Sequence, residues 1–277
     1  MACEAEYRQR LEVEVKARTQ ELGERNTELQ QLNATLLETS LTDSLTGLRN
    51  RRFLFEEVAK DVALIQRRQH GSAAEEVRGS DAAGRDDTKP LVFIMVDLDL
   101  FKPINDTCGH AAGDRVLQRV RSILEKACRS SDVLVRWGGD EFLVVGRNAD
   151  IADIEVVPER IRAMVENTAF DVGDGQVAHL TCSIGFTTDP VLGTTPHLLT
   201  LEQVVTLADG ALYIAKKKAG RNAWVGLMGS EKTTREALLR SLQAEPDRII
   251  HEGHLEVRAS KALGSIGTPS EAKPPVR

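Results

Sequence analysis

At 277 residues, with 41% hydrophobic and 28% charged residues, the chain can bury a sizeable core as one large domain or one ordinary domain with attachments. A formal net charge of −6 argues against non-specific nucleic-acid binding and leaves an anionic ligand open wherever basic residues cluster. No apolar run approaches the ~20 residues of a membrane span, "MACEAEYRQRLEVEVK" has no secretory core, and Cys3, Cys108, Cys128 and Cys182 are scattered, so a cytoplasmic chain with reduced thiols is expected.

Residues 4–40 read as helix, with no Pro and a single glycine, Gly23. Val15, Leu22, Leu29 and Leu36 recur every seven residues, whereas the companion series Leu11, Arg18, Arg25, Leu32 and Thr39 is only half apolar. These heptads predict a coiled-coil helix over 1–40 that pairs in parallel with a second copy through a weakened seam. "LTDSLTGLRNRR" (Leu41 to Arg52) breaks the repeat with cap and turn residues. A second helix follows, with Phe53, Leu54, Val58, Val62 and Leu64 on its apolar side. Residues 69–90 are polar, small and Gly-rich, and read as a long flexible loop.

From Leu91 the pattern becomes strand, helix, strand, strand, helix, strand. "LVFIMV" is a continuous apolar run, as in a strand buried on both faces. "AAGDRVLQRVRSILEKAC" is helical, "DVLVRW" and "EFLVVG" form a hairpin, "IADIEVVPERIRAMVENT" is helical and "VAHLTCSIGFTT" is a strand. A helix, "TLEQVVTLADGALYIAKKK", and a short strand, "AWVGL", follow. This is an α+β fold on the ferredoxin-like βαββαβ plan with added elements. Residues 228–277 are polar, and predict one short helix near Glu236 to Leu242 in an otherwise disordered tail.

The chemistry concentrates at two places. Asp97 ends a buried strand, where an unpaired carboxylate is costly. Asp140 and Glu141 sit side by side at the hairpin tip, between two runs that seek a core. If the two places meet, three carboxylates converge as hard oxygen ligands for a divalent cation. An EF-hand loop is excluded, because Phe101, Lys102 and Cys108 stand where that loop needs a ligand, Gly and Glu. Spacing alone leaves open a metal site or a solvated tip beside a capped strand end.

Four ordered strings carry a resemblance: "DSLTGLRNRR", "DLDLFKPINDTCGHAAGD", "GGDEF" (Gly138 to Phe142) and "ADGALYIAKKKAGRN". Over roughly residues 41–227 the chain resembles the GGDEF-domain diguanylate cyclases. The resemblance implies a palm-like nucleotidyl cyclase fold and condensation of two GTP into cyclic di-GMP and two pyrophosphates. It implies two Mg²⁺, or Mn²⁺ in their place, per active site, held by Asp97, the Leu98 carbonyl and Asp140. Asp140 with Glu141 would activate the ribose 3′-hydroxyl. Gly138 and Gly139 would let the triphosphate approach the backbone. The amides of Leu100 and Phe101, with Lys102, would cradle the terminal phosphates, and Asn105 and Asp114 would read guanine. From the residues alone, Asn105 reads equally as a helix cap and Asp114 as a first-turn acid.

The spacer before Gly220 is one residue longer than usual in the family, so both Lys216 and Lys217 are candidates for a phosphate lysine. Counting back from Arg221 favours a pairing of Lys217 with Arg221. "RSSD", holding Arg129 and Asp132 with five residues between Asp132 and Gly138, matches the family's inhibitory product site, and Arg160 stands at its secondary arginine. His110 reads as structural, and Trp137 and Phe142 as core. The resemblance also implies a homodimer arranged by the N-terminal coiled coil and an upstream sensor or partner protein. The rival expectations are a non-catalytic GTP or cyclic di-GMP receptor and a cyclase making mixed guanine–adenine dinucleotides. Asp114 argues against the second.

Overall fold

The computed structural model describes residues 16, 18–28, 30, 39–60, 62, 90–147, 149–191, 199–243 and 250–263. Residues 18–28 are helical, and Leu22 is exposed. The heptad positions Leu11, Val15, Leu29, Leu32 and Leu36 lie outside the described residues, as does the expected loop up to residue 89.

A seven-stranded sheet in the order β1-β3-β4-β2-β7-β8-β9 organises the chain. Its members are β1 (Arg49–Asn50), β2 (Leu91–Asp99), β3 (Val133–Gly138), β4 (Glu141–Gly146), β7 (Thr181–Asp189), β8 (Trp224–Gly229) and β9 (Leu255–Ala259). Helix α1 (Arg51–Phe53) runs on as a π-helix (Leu54–Val58). The other helices are α2 (Phe101–Cys108), α3 (His110–Ala127), α4 (Val156–Glu166), α5 (Leu201–Lys217) and α6 (Arg235–Gln243). Strand β2 lies between β4 and β7, antiparallel to both, which is the split βαββαβ arrangement expected.

The apolar run of β2 is buried at every position because the sheet is covered on both faces. Val92, Ile94, Val96 and Leu98 join Val116, Val120 and Leu124 of α3 and Ile161 of α4 in one core. Leu91, Phe93 and Met95 join Leu54, Val58 and the α5 residues Val204, Ala208, Leu212 and Ala215 in the other. The period of two along β2 therefore assigns its odd positions, Asp97 and Asp99 included, to the α5 face.

Two elements differ from the sequence expectation. The segment after α4 is a hairpin of β5 (Ala169–Gly173) and β6 (Gln176–His179), set apart from β7 and closed by Asp174 and Gly175 at positive φ. Positive φ at both loop positions suits the twist of adjoining strands. The tail carries α6 where one short helix is expected, but also β9, which pairs antiparallel with β8 from Val225↔Ala259 to Gly229↔Leu255. Leu255, Val257 and Ala259 supply its apolar side. Among the described residues no helix is long and apolar enough to cross a membrane.

Candidate active site

The site forms where β2, the β3–β4 tip and the end of α5 meet. Asp97 is opposite Glu141 on β4 and Ser183 on β7. The tip turns at Gly139, whose φ of 52° favours glycine, and the Leu98 amide donates to the Asp140 carbonyl at 3.4 Å. Asp140 and Glu141 thus arrive beside the end of β2, as the convergence of the two motifs requires.

Helix α5 supplies the counter-charge. Gly185 on β7 lets it come close: a Cβ there would lie 2.0 Å from the Leu212 amide nitrogen and 2.3 Å from the Ala208 carbonyl oxygen. Farther along the same helix, Lys216 Nζ reaches Asp97 Oδ2 at 2.6 Å. Lys217 is exposed instead, so of the two candidate lysines it is Lys216 that contacts Asp97. A helix turns 100° per residue, and burial of Ile214 and Ala215 fixes which lysine faces the sheet.

Burial pushes the Asp97 carboxyl above its ordinary range, opposed by the Lys216 hydrogen bond and charge and reinforced by Asp140 and Asp99. Burial likewise raises Glu141, with Asp97 and Asp209 adding to it. Acid is therefore concentrated here beyond what one lysine balances. Among the described residues, no three His, Cys, Asp or Glu side chains are grouped so as to hold a metal ion.

Asp99 has a different task. Its carboxylate accepts from Thr181 Oγ1 at 2.7 Å, Ser183 Oγ at 2.7 Å and the Asn222 amide at 3.0 Å. Arg221 Nε is 4.0 Å away. With its oxygens engaged, Asp99 anchors the α5–β8 turn. Arg136 is a second residue that motif reading passes over. Its guanidinium bonds both oxygens of Asp43 at 3.1 Å and donates to the Gly139 carbonyl at 3.0 Å. The segment before β1 is thereby tied to the hairpin tip. Burial raises the Asp43 carboxyl, but Thr46 and Arg136 outweigh it and hold it below its usual range.

The remaining expected residues fall in two groups. Leu100 is exposed at φ 59°, and no side chain caps the start of α2, where Phe101 is buried and Lys102 exposed. Asn105 lies over Gly113, where a Cβ would meet its Oδ1 at 2.0 Å, and Asp114 is exposed next to it. His110 is exposed, Phe142 is buried, and Trp137 is half-buried under Arg51. Gly138 is exposed with open space where a Cβ would stand.

Away from this site, Arg129, Asp132 and Arg160 line one cavity of about 480 Å³ with Cys128, Arg147 and Asp150. Asp132 accepts from the Arg129 amide at 2.8 Å and the Arg147 amide at 3.3 Å, so it shapes the turn. Burial, then the Asp132 charge, push the Cys128 thiol up to about 12, against Arg160.

The family described as "Diguanylate cyclase, GGDEF domain" matches residues 76–223. The response regulator PleD of Caulobacter vibrioides is 35% identical over 191 residues, covering 69% of this chain and 37% of PleD. Diguanylate cyclase A of Treponema denticola is 35% identical over 190 residues, covering 69% of this chain and 45% of that protein. The chain thus spans less than half the length of these curated relatives. Among solved structures, the diguanylate cyclase SiaD of Pseudomonas aeruginosa, in complex with its activator SiaC, is 33% identical with a TM-score of 0.55, over 79% of this chain and 73% of that one. With its βαββαβ sheet and its signature at the β3–β4 tip, the chain belongs to the GGDEF-domain diguanylate cyclase family.

Proposed function

We propose that this chain condenses two GTP into cyclic di-GMP and two pyrophosphates, working as a homodimer. The observation that carries the reading is the meeting of Asp97, Asp140, Glu141 and Lys216 at the end of β2. Two carboxylates pushed up by burial, Asp97 also by Asp140 and Asp99 and Glu141 also by Asp97 and Asp209, belong to an acidic set that a hard divalent cation neutralises. Asp97, the Leu98 carbonyl and Asp140 would hold Mg²⁺, two ions per site, with Mn²⁺ as a substitute. Bound there, the metal would supply Lewis-acid stabilisation of the phosphoryl oxygens.

The chain's own groups divide the rest of the work. Asp140, with Glu141 beside it, would activate the ribose 3′-hydroxyl, and the proton affinity of Glu141, raised by burial and by Asp97, suits it to accept that proton. The uncapped amides at the start of α2, with Lys102, Lys216 and Arg221, would bind the triphosphate. Asn105 and Asp114 would hold guanine, whose N1–H and N2 amino group are both donors. One domain binds one GTP, so two domains must face each other, and the N-terminal heptads would set that pairing. An upstream sensor or partner protein would control it. Product binding at Arg129, Asp132 and Arg160 would supply feedback.

Incubation of the purified protein with GTP and Mg²⁺, followed by chromatography, should yield cyclic di-GMP. Asp97→Asn and Asp140→Asn each remove charge but little volume, and should abolish synthesis, a loss of several kcal/mol of transition-state stabilisation. Near-normal turnover by either variant would overturn the carboxylate site.

A further inference from the structure

The turn between α5 and β8 is strained where it serves the site. Arg221 and Asn222 have φ of 66° and 45°. Consecutive non-glycine residues in the left-handed region persist only where their surroundings over-determine them. Three sets of contacts do so here. The Arg221 amide closes onto the Ala215 carbonyl at 3.2 Å. Asn222 is held by Asp99 through its amide, by Arg162 at its Oδ1 (2.8 Å) and by Glu166 at its Nδ2 (2.6 Å). The third hold comes from beyond β9, outside residues 76–223 that define the family match. There Lys261 Nζ donates to the Arg221 carbonyl at 3.0 Å.

Lys261 reaches that carbonyl because the tail is pinned just before it. The Ser260 amide donates to the Trp224 carbonyl at 3.1 Å, and Ser260 Oγ accepts from the Trp224 amide at 2.9 Å. Two residues earlier, on the same end of β9, Arg258 bonds the Ile151 carbonyl and Glu155, each at 3.1 Å. The end of the strand is therefore held to β8 and to the segment before α4, and it delivers a cation to the backbone of the residue whose guanidinium faces Asp99.

We propose that Lys261 is a positioning residue for nucleotide: by binding the Arg221 carbonyl it fixes the left-handed turn that aims Arg221 at the triphosphate. The role rests on the reading of Arg221 as a phosphate ligand. The tail would thereby act on the substrate site through Arg221.

The test uses the full chain with Mg²⁺ and two probes, 3′-deoxy-GTP, which cannot condense, and GMP, which lacks the terminal phosphates. Calorimetry should show Lys261→Met weakening 3′-deoxy-GTP about fivefold, the worth of one such hydrogen bond. GMP affinity and the urea midpoint should stay unchanged, and Lys261→Arg should restore most of the loss. Equal affinity of the parent and Lys261→Met for 3′-deoxy-GTP overturns the proposal. So does a parallel loss for both probes with a lowered midpoint, which would make Lys261 a scaffold contact only. A parent that binds neither probe would overturn the GTP reading itself, a result distinct from both.

Discussion

Gly185 governs how near α5 lies to the sheet, and through that where Lys216 ends. The atoms a Cβ would strike, the Leu212 nitrogen and the Ala208 oxygen, are helix backbone and cannot swing aside. Gly185→Ala should therefore push α5 outward, costing about 1–3 kcal/mol as overpacking does, and should loosen the Lys216–Asp97 contact. A lowered urea midpoint together with weakened GTP binding checks this; an unchanged midpoint would show that the helix yields freely. At this scale the sequence was informative about residue type and weak about direction. Asp97, Asp140 and Glu141 drew notice because acids at the end of a buried run and at a hairpin tip demand partners, but only the four family strings favoured a metal site over a solvated tip. That Lys216 and not Lys217 reaches Asp97 was not legible, since it depends on helix rotation, set by how Ile214 and Ala215 are buried. Asp99 and Arg136 were passed over because their partners, Ser183, Asn222 and Asp43, are distant in sequence.

Among elements, α4 and β8 are joined by charged and polar side chains as well as by apolar packing. Arg162, 15% exposed, bonds Glu159, Glu166 and Asn222, and Trp224 Nε1 donates to Glu159 at 2.9 Å. Hydrogen bonds from Arg162 hold the Glu159 carboxyl below its usual range against burial, with Trp224 adding to them. A depressed carboxyl stabilises the fold above its unfolded value, about pH 4.3. That contribution is lost as pH falls through the lower folded value. Glu159→Gln should thus cost roughly 1 kcal/mol at neutral pH after solvent screening. In urea titrations the gap to the parent should narrow as pH falls below the unfolded value and through the lower folded one; a gap of undiminished size in strong acid would mean that shape, not charge, is lost. The main strands and helices could be read from periodicity alone, because burial on one or both faces writes itself into the pattern. The β5–β6 hairpin had a signal in Asp174–Gly175, a favoured two-residue turn, but was merged with β7. Strand β9 alternates in "LEVRA" and escaped notice because polar residues flank so short a run.

For the whole molecule, the separation of the two sites decides how product would act. The cavity holding Arg129, Asp132 and Arg160 opens before β3 and beside α4, whereas Gly139 and Asp140 lie past the far end of β3. Product in that cavity cannot displace GTP from the same domain by contact. Cyclic di-GMP carries two phosphates and two guanines, and an arginine fork can donate two parallel hydrogen bonds to either group. Asp132 is committed to the Arg129 and Arg147 amides, so recognition of product would fall to the two guanidinium groups. A ligand with two identical halves can engage two domains at once and hold their active sites apart. Inhibition should then be noncompetitive with GTP, no larger than product's preference for the separated arrangement. Arg129→Ala should keep the initial rate of synthesis, raise the inhibition constant at least tenfold, the loss expected for about 1.4 kcal/mol of charge-assisted bonding, and accumulate more product at long times. Arg160→Ala should act in the same direction and less strongly. Initial rates across a grid of GTP and added product measure both. Inhibition of Arg129→Ala equal to that of the parent would reduce "RSSD" to a turn that Asp132 happens to cap.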